Sequence, residues 1–232
     1  LNDDGMYDIR TEAFEQGMSV AKDLIQKVDS AEESIAEMLG NETFAFAREC
    51  ACSIYHCCDI NKSDRDYNTV RDSHMAEKVQ WFIEHGDGSV IFINGHNGHV
   101  GKTSVAAYEC LGKILADKLG EGYFAIGTDA RTTTFNSQND FDFDVKTVEN
   151  ENALNKLTEE IGGTCYYIDF DKVSGDDGWN EILSGKLRLT TLNVSVPVTT
   201  AIFCTSEIML EESFDGMIVF DEVSPTTLDL GE

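Results

Sequence analysis

The chain reads as an α/β protein with a mostly parallel sheet, helices on both faces of that sheet and a helical region at its N-terminal end. Three observations predict this. Apolar residues recur every three to four positions through the first third of the chain, the spacing of amphipathic helices. Short β-rich runs then alternate with helical stretches, the order produced by strand–helix–strand units of a parallel sheet. Glycine-containing turns such as Gly86-Asp87-Gly88 punctuate the transitions.

Taken in order, the first helix is expected over 11–28, where Phe14, Met18, Ala21, Leu24, Ile25 and Val28 form one stripe. Asp29 and Ser30 are placed to cap a second helix from Ala31 to Leu39, with Glu33 at the capping-box position and Gly40-Asn41 as the stop. Glu42 to Cys58 is apolar on most faces, which predicts a buried helix. A polar linker leads to a helix from Arg71 to His85 with Met75, Val79, Phe82 and Ile83 turned inward. The first strand is Val90 to Ile93, followed by a helix from Ser104 to Leu119 and a second strand from Tyr123 to Thr128. A helix from Ala153 to Ile161 feeds a strand from Cys165 to Phe170, and Gly216 to Phe220 supplies the last strand. The polar stretch 131–148 and the irregular stretch 174–200 are expected as loops near the carboxyl edge of the sheet, where open α/β folds bind ligands. The corresponding domain division is a helical region over 1–66 and an α/β domain over 67–232.

Length and composition bound the function. A chain of 232 residues with 41% hydrophobic content and only 2 prolines buries a substantial core. Its formal net charge of −26 repels phosphate backbones and anionic lipid, so nucleic acid and membrane surfaces are not expected partners. No stretch approaches the length of a membrane span and the start lacks the pattern of an export signal. The 7 cysteines, with Cys50, Cys52, Cys57 and Cys58 close together, are expected as thiols in a cytoplasmic setting. Their C-x-C-x4-C-C spacing lacks the paired knuckles of a structural zinc site, and Cys110 and Cys204 are expected buried. Residue 1 is leucine, from which the chain is expected to begin inside a longer protein.

The chemistry concentrates at His96-Asn97-Gly98-His99, directly after the apolar run 90–93. Two imidazoles at the end of a strand can polarise a bound group or exchange a proton near neutral pH, which makes His96 and His99 the candidate catalytic pair. Asn97 between them is placed to orient one ring or cap the following helix. The same stretch invites a rival, because Gly101-Lys102-Thr103 ends like a phosphate-binding loop and Met217 to Glu222 reads as a strand with an acidic tip. An ATPase of that type needs glycine at position 96, where this chain has histidine. No G-x-S-x-G elbow is present, which sets aside a serine hydrolase. A metal bound by His96 and His99 needs a third ligand that the sequence does not place, so no cofactor is expected, although metal dependence stays open.

Four blocks, taken together, point to a family. Tyr67 to Glu77 (YNTVRDSHMAE), His96 to Val100 (HNGHV), Leu119 to Gly127 (LGEGYFAIG) and Phe214 to Val219 (FDGMIV) resemble, in order and separation, the carboxyl-terminal half of the erythromycin esterase family. The helical stretch 11–58 resembles that family's inserted helical region. The resemblance implies a three-layer α/β/α fold and a hydrolase that cleaves a small-molecule ester with water, macrolide lactones in its best-known members. It further implies that His96 and His99 line the pocket and polarise the ester, while Arg71 and Asp72 belong with Asn97 to the surrounding substrate-binding shell. The family's G-E-x-x-H-G block, whose histidine is the proposed general base, occurs nowhere in the 232 residues. The missing N-terminal portion of the same protein is therefore an expected partner, and the alternative is a short, non-catalytic binding module.

Overall fold

Helices occupy most of the described residues up to 85 in the computed structural model, which describes residues 3–63, 66–88, 90–104, 108–138, 143–191 and 205–225. Helix α1 (Asp3–Ser30), α2 (Glu32–Leu39), α3 (Asn41–Lys62) and α4 (Tyr67–His85) follow one another. Ser30 does not cap α2. The Ala31 N–H still bonds back to the Lys27 carbonyl at 3.1 Å, so the backbone stays helical and the Ser30 hydroxyl donates to the Gln26 carbonyl at 2.6 Å instead. Helix α3 buries Ala51 alone, with Phe46 61% and Ile54 49% exposed. Its apolar residues lie all round the cylinder and cannot all face α1, α2 and α4. The stripe expected on α4 also shifts: Asp72 and Ala76 are buried, while Phe82 and Ile83 face outward.

The chain divides into two compact units, 1–93 and 94–232. Helix α4 packs along α3 within the first unit. The expected strand over 90–93 does not form. Val90 and Phe92 are 85% and 87% exposed. The run has strand composition, but a strand requires a neighbour to pair with, and among the described residues it has none.

In the second unit come α5 (Asn97–Val100), α6 (Leu111–Leu119), β1 (Ile126–Gln138), β2 (Phe143–Glu149), α7 (Ala153–Ile161), β3 (Cys165–Asp169), α8 (Phe170–Val173), α9 (Asp177–Ser184), β4 (Lys186–Thr190), β5 (Thr205–Met209), α10 (Leu210–Ser213) and β6 (Gly216–Val223). One sheet runs β2-β1-β6-β3 and a second pairs β4 with β5. Among the described residues only β1–β6 is parallel; β1–β2, β3–β6 and β4–β5 are antiparallel. The expectation of a mostly parallel sheet is corrected here, and the reason is parity. The polar stretch 131–148 taken as a loop carries the second half of β1 and most of β2, paired antiparallel, so β2 reverses the chain once more before α7, and β3 arrives antiparallel. The stretch 174–200 likewise carries α9 and β4, while 192–200 lies outside the described residues.

Local chemistry explains the element ends. The Asn152 side chain accepts from the Asn155 N–H at 2.9 Å to cap α7, and Gly162, at φ +69°, closes it in the left-handed region that glycine adopts without strain. Asp176 caps α9 through the Gly178 and Trp179 N–H groups. The core gathers Leu154, Leu189, Leu210, Met217 and Val219, all fully buried, each contributing about 1.5–3 kcal/mol. Gly112 lets α6 approach the preceding loop: a Cβ there would lie 2.3 Å from the Val100 carbonyl oxygen and 2.4 Å from that of Gly101. Gly112→Ala is accordingly expected to cost about 1–3 kcal/mol, the usual scale of overpacking, read as a lower denaturant midpoint at unchanged m-value.

Candidate active site

His96 stands at the N-cap of α5 with an extended backbone. Its Nδ1 accepts the Gly98 N–H at 3.2 Å, so the neutral ring carries its proton on Nε2. Burial, and then the neighbouring His99, hold its pKa below the ordinary imidazole value of 6.5. Although His96 keeps solvent contact, this shift favours the neutral ring, an N–H donor. His96 lines an open cleft of about 290 Å³ together with Asn97, Thr128, Asp129, Thr190 and Phe220.

His99 follows one turn later. It is half-buried, sits 6.5 Å centroid to centroid from the Tyr108 ring, and is not among the residues lining the cleft. Asn97 is 5% exposed and its amide is committed to β1: Nδ2 donates to the Thr128 carbonyl at 2.6 Å, and Oδ1 accepts the Thr128 N–H at 3.0 Å. It joins the turn to the strand as a further strand would. Arg71 and Asp72 lie on α4 in the helical unit, where Asp72 is fully buried, the Arg71 guanidinium is 3.7 Å from its carboxylate and the same guanidinium lies over the Tyr67 ring.

The residue that sequence reasoning missed is Asp129. It is 5% exposed, and its Oδ2 accepts from Asn150 Nδ2 at 3.2 Å, Asn152 Nδ2 at 2.7 Å and Asn155 Nδ2 at 2.9 Å. Its Oδ1 accepts the Thr190 N–H at 3.0 Å. Burial, and then this carboxylate's charge, push the Tyr166 phenol upward. Asn152 is used twice, capping α7 with its oxygen and holding Asp129 with its amide nitrogen. The available signal was the Asn150-x-Asn152-x-x-Asn155 cluster at a helix start, opposite an aspartate that continues the strand after Thr128.

The rival reading of 101–103 loses its groups. Lys102 Nζ pairs with Asp215, and the Thr103 and Ser213 hydroxyls bond to each other. Asp215 Oδ2 also accepts the Ala125 N–H at 2.7 Å, so the lysine fastens the loop to the sheet rather than facing a phosphate. On β6, Asp221 pairs with Arg131 at 2.7 Å and accepts from Thr158; those hydrogen bonds hold its carboxyl below the usual range. Mg-ATP is therefore expected to leave the thermal midpoint unmoved, whereas a phosphate-loop protein is stabilised in proportion to ligand excess.

Among the described residues, no third ligand-bearing side chain closes on His96 and His99 to hold a metal; the one such grouping is His56, His74 and Glu77 in the helical unit. Cys110 is buried, as expected, while Cys50 and Cys57 are exposed rather than packed in a core; Cys204 lies outside the described residues. No helix is long and apolar enough to cross a membrane among the described residues.

A family model described as erythromycin esterase matches residues 4–223. A search of curated proteins finds no match. Among solved structures the chain is similar to a protein from Bacillus cereus, at 23% identity and a TM-score of 0.74, covering 93% of this chain and 54% of that one. It is similar to a succinoglycan biosynthesis protein at 16% identity and a TM-score of 0.65, covering 91% and 53%. It is also similar to a histidine mutant of the erythromycin esterase EreC in its open conformation, at 18% identity and a TM-score of 0.63, covering 94% and 55%. The chain thus spans about half the length of the structures it resembles.

Proposed function

The chain belongs to the erythromycin esterase family, and from that premise we propose that in its full-length protein it is a hydrolase that cleaves a carboxylic ester or lactone with water. The observation that carries this reading is His96, a neutral N–H donor on the wall of the cleft, with Nδ1 already satisfied by Gly98. A donor aimed at the carbonyl oxygen stabilises the charge that develops there as water adds. Because Nδ1 is occupied, His96 polarises the ester rather than removing the proton of the water.

His99 lowers the basicity of His96 from one turn away and so keeps the donor uncharged; it is the second histidine of the site. Asn97 ties the turn that carries both histidines to β1 through Thr128. Asp129, tied to three asparagines and the Thr190 N–H, fixes the floor of the cleft. Arg71 and Asp72 are assigned to the substrate-binding shell on the strength of their family block. The water-activating histidine is expected from the G-E-x-x-H-G block, in polypeptide outside these 232 residues. No metal or organic cofactor takes part in this scheme.

The test is an assay of the full-length protein against a panel of simple esters and macrolactones. Turnover that depends on His96 supports the reading. A panel in which no ester or lactone is cleaved, by a protein that does carry the missing block, would leave a binding module in its place.

A further inference from the structure

A second cluster of chemistry-bearing side chains lies wholly within the helical unit, independent of the esterase reading. Helix α3 carries His56 and Asp59, and α4 carries His74 and Glu77, each pair separated by three positions and so on one face of its helix. The two imidazole rings stack with centroids 3.9 Å apart and planes 15° from parallel. Glu77 Oε2 lies 2.9 Å from His74 Nδ1 and 3.5 Å from His56 Nε2. One ligand atom from each of His56, His74 and Glu77 lies within 4.8 Å of the other two.

We propose that His56, His74 and Glu77 form a binding site for a zinc-class divalent cation that clamps α3 to α4. Nitrogen and oxygen ligands about 2.0–2.1 Å from a tetrahedral zinc ion stand about 3.3 Å apart; Glu77 stands 2.9 and 3.5 Å from the two ring nitrogens, and rotation of the stacked rings, whose ligand atoms already lie within 4.8 Å of each other, turns both lone pairs onto one ion. The donor set, two imidazoles and one carboxylate, is one that zinc accepts, with water completing the fourth position.

The surroundings fit this role. His74 Nε2 lies 2.9 Å from Asp59 Oδ2, which places the ring proton on Nε2 and turns the lone pair of Nδ1 toward Glu77 and the ion, as carboxylates behind metal-bound histidines do. The ion takes the position between Nδ1 and Glu77. His56 Nδ1 is buried and makes no hydrogen bond, so no acceptor commits its proton and the Nε2 lone pair is available toward Glu77.

The experiment is a Zn(II) titration of the chelator-stripped full chain against a chromophoric competitor, paired with Co(II) absorption spectra. The expected result is one ion per chain, a cobalt spectrum of nitrogen and oxygen ligands without thiolate charge transfer, and a thermal midpoint that rises with zinc. Glu77→Gln and His74→Gln are each expected to weaken binding at least about a hundredfold, and Asp59→Asn about 10–100-fold, the scale for an outer-shell partner. Glu77 is exposed, so its replacement is expected to leave the helices intact by circular dichroism. Absence of saturable binding, affinity unchanged in Glu77→Gln, or thiolate absorption placing the ion on Cys50 to Cys58 would each overturn the proposal.

Discussion

His96→Ala in the full-length protein is expected to lower kcat/KM for ester hydrolysis at least about a hundredfold, equivalent to about 2.7 kcal/mol of transition-state stabilisation. The argument rests on three features of the ring. It lines the cleft, its Nδ1 accepts the Gly98 N–H, and partial desolvation lowers its pKa although the residue keeps solvent contact. The last of these predicts a pH dependence. A histidine with a depressed folded pKa takes up its proton only below the usual imidazole range, so the acid limb that it causes in kcat/KM is expected below pH 6.5. Stability follows the same linkage: as pH falls below 6.5 the unfolded chain protonates first, so this residue's contribution makes the fold less stable, levelling off once the folded-state pKa is passed. His99→Ala removes the second ring that depresses His96 and is expected to move that acid limb upward. A His96→Ala enzyme with unchanged turnover would remove the donor from the mechanism.

Asp129→Ala is expected to be the most destabilising single change in the second unit. It strips the shared acceptor from three buried asparagine amides and one backbone N–H. An orphaned buried donor costs about 1–3 kcal/mol; because the asparagines retain the Arg188, Ala130 and Asn150 carbonyls as partners, a loss of about 3–5 kcal/mol is expected. At about 2–4 °C per kcal/mol for a protein of this size, the thermal midpoint falls by roughly 10 °C. Asp129→Asn keeps the shape but turns an amide NH2 toward groups that are themselves donors, so it is expected to recover only part of the loss. Full stability of Asp129→Asn, measured by denaturant unfolding, would show that shape and not acceptor capacity holds the asparagines.

The residues alone determined whatever depends on neighbours in the chain. Helix α7 was legible to the residue because Asn152 caps it and Gly162 ends it, and β6 because Met217 and Val219 alternate inward among other apolar residues. The family was legible because four blocks keep their order and spacing. Pairing partners were another matter. Val90 to Ile93 has strand composition but, among the described residues, no ladder to join, and the polar residues of β2 form a strand because β1 offers one. That single hairpin reversed the direction of β3 and made the sheet mostly antiparallel. Asp129 escaped notice for the same physical reason: its acceptors are satisfied by amides 21 to 26 positions away and a backbone N–H 61 positions away. Only tertiary structure decides which distant donors converge on a buried charge, because burial demands that the charge be paired while leaving the chain many ways to pair it.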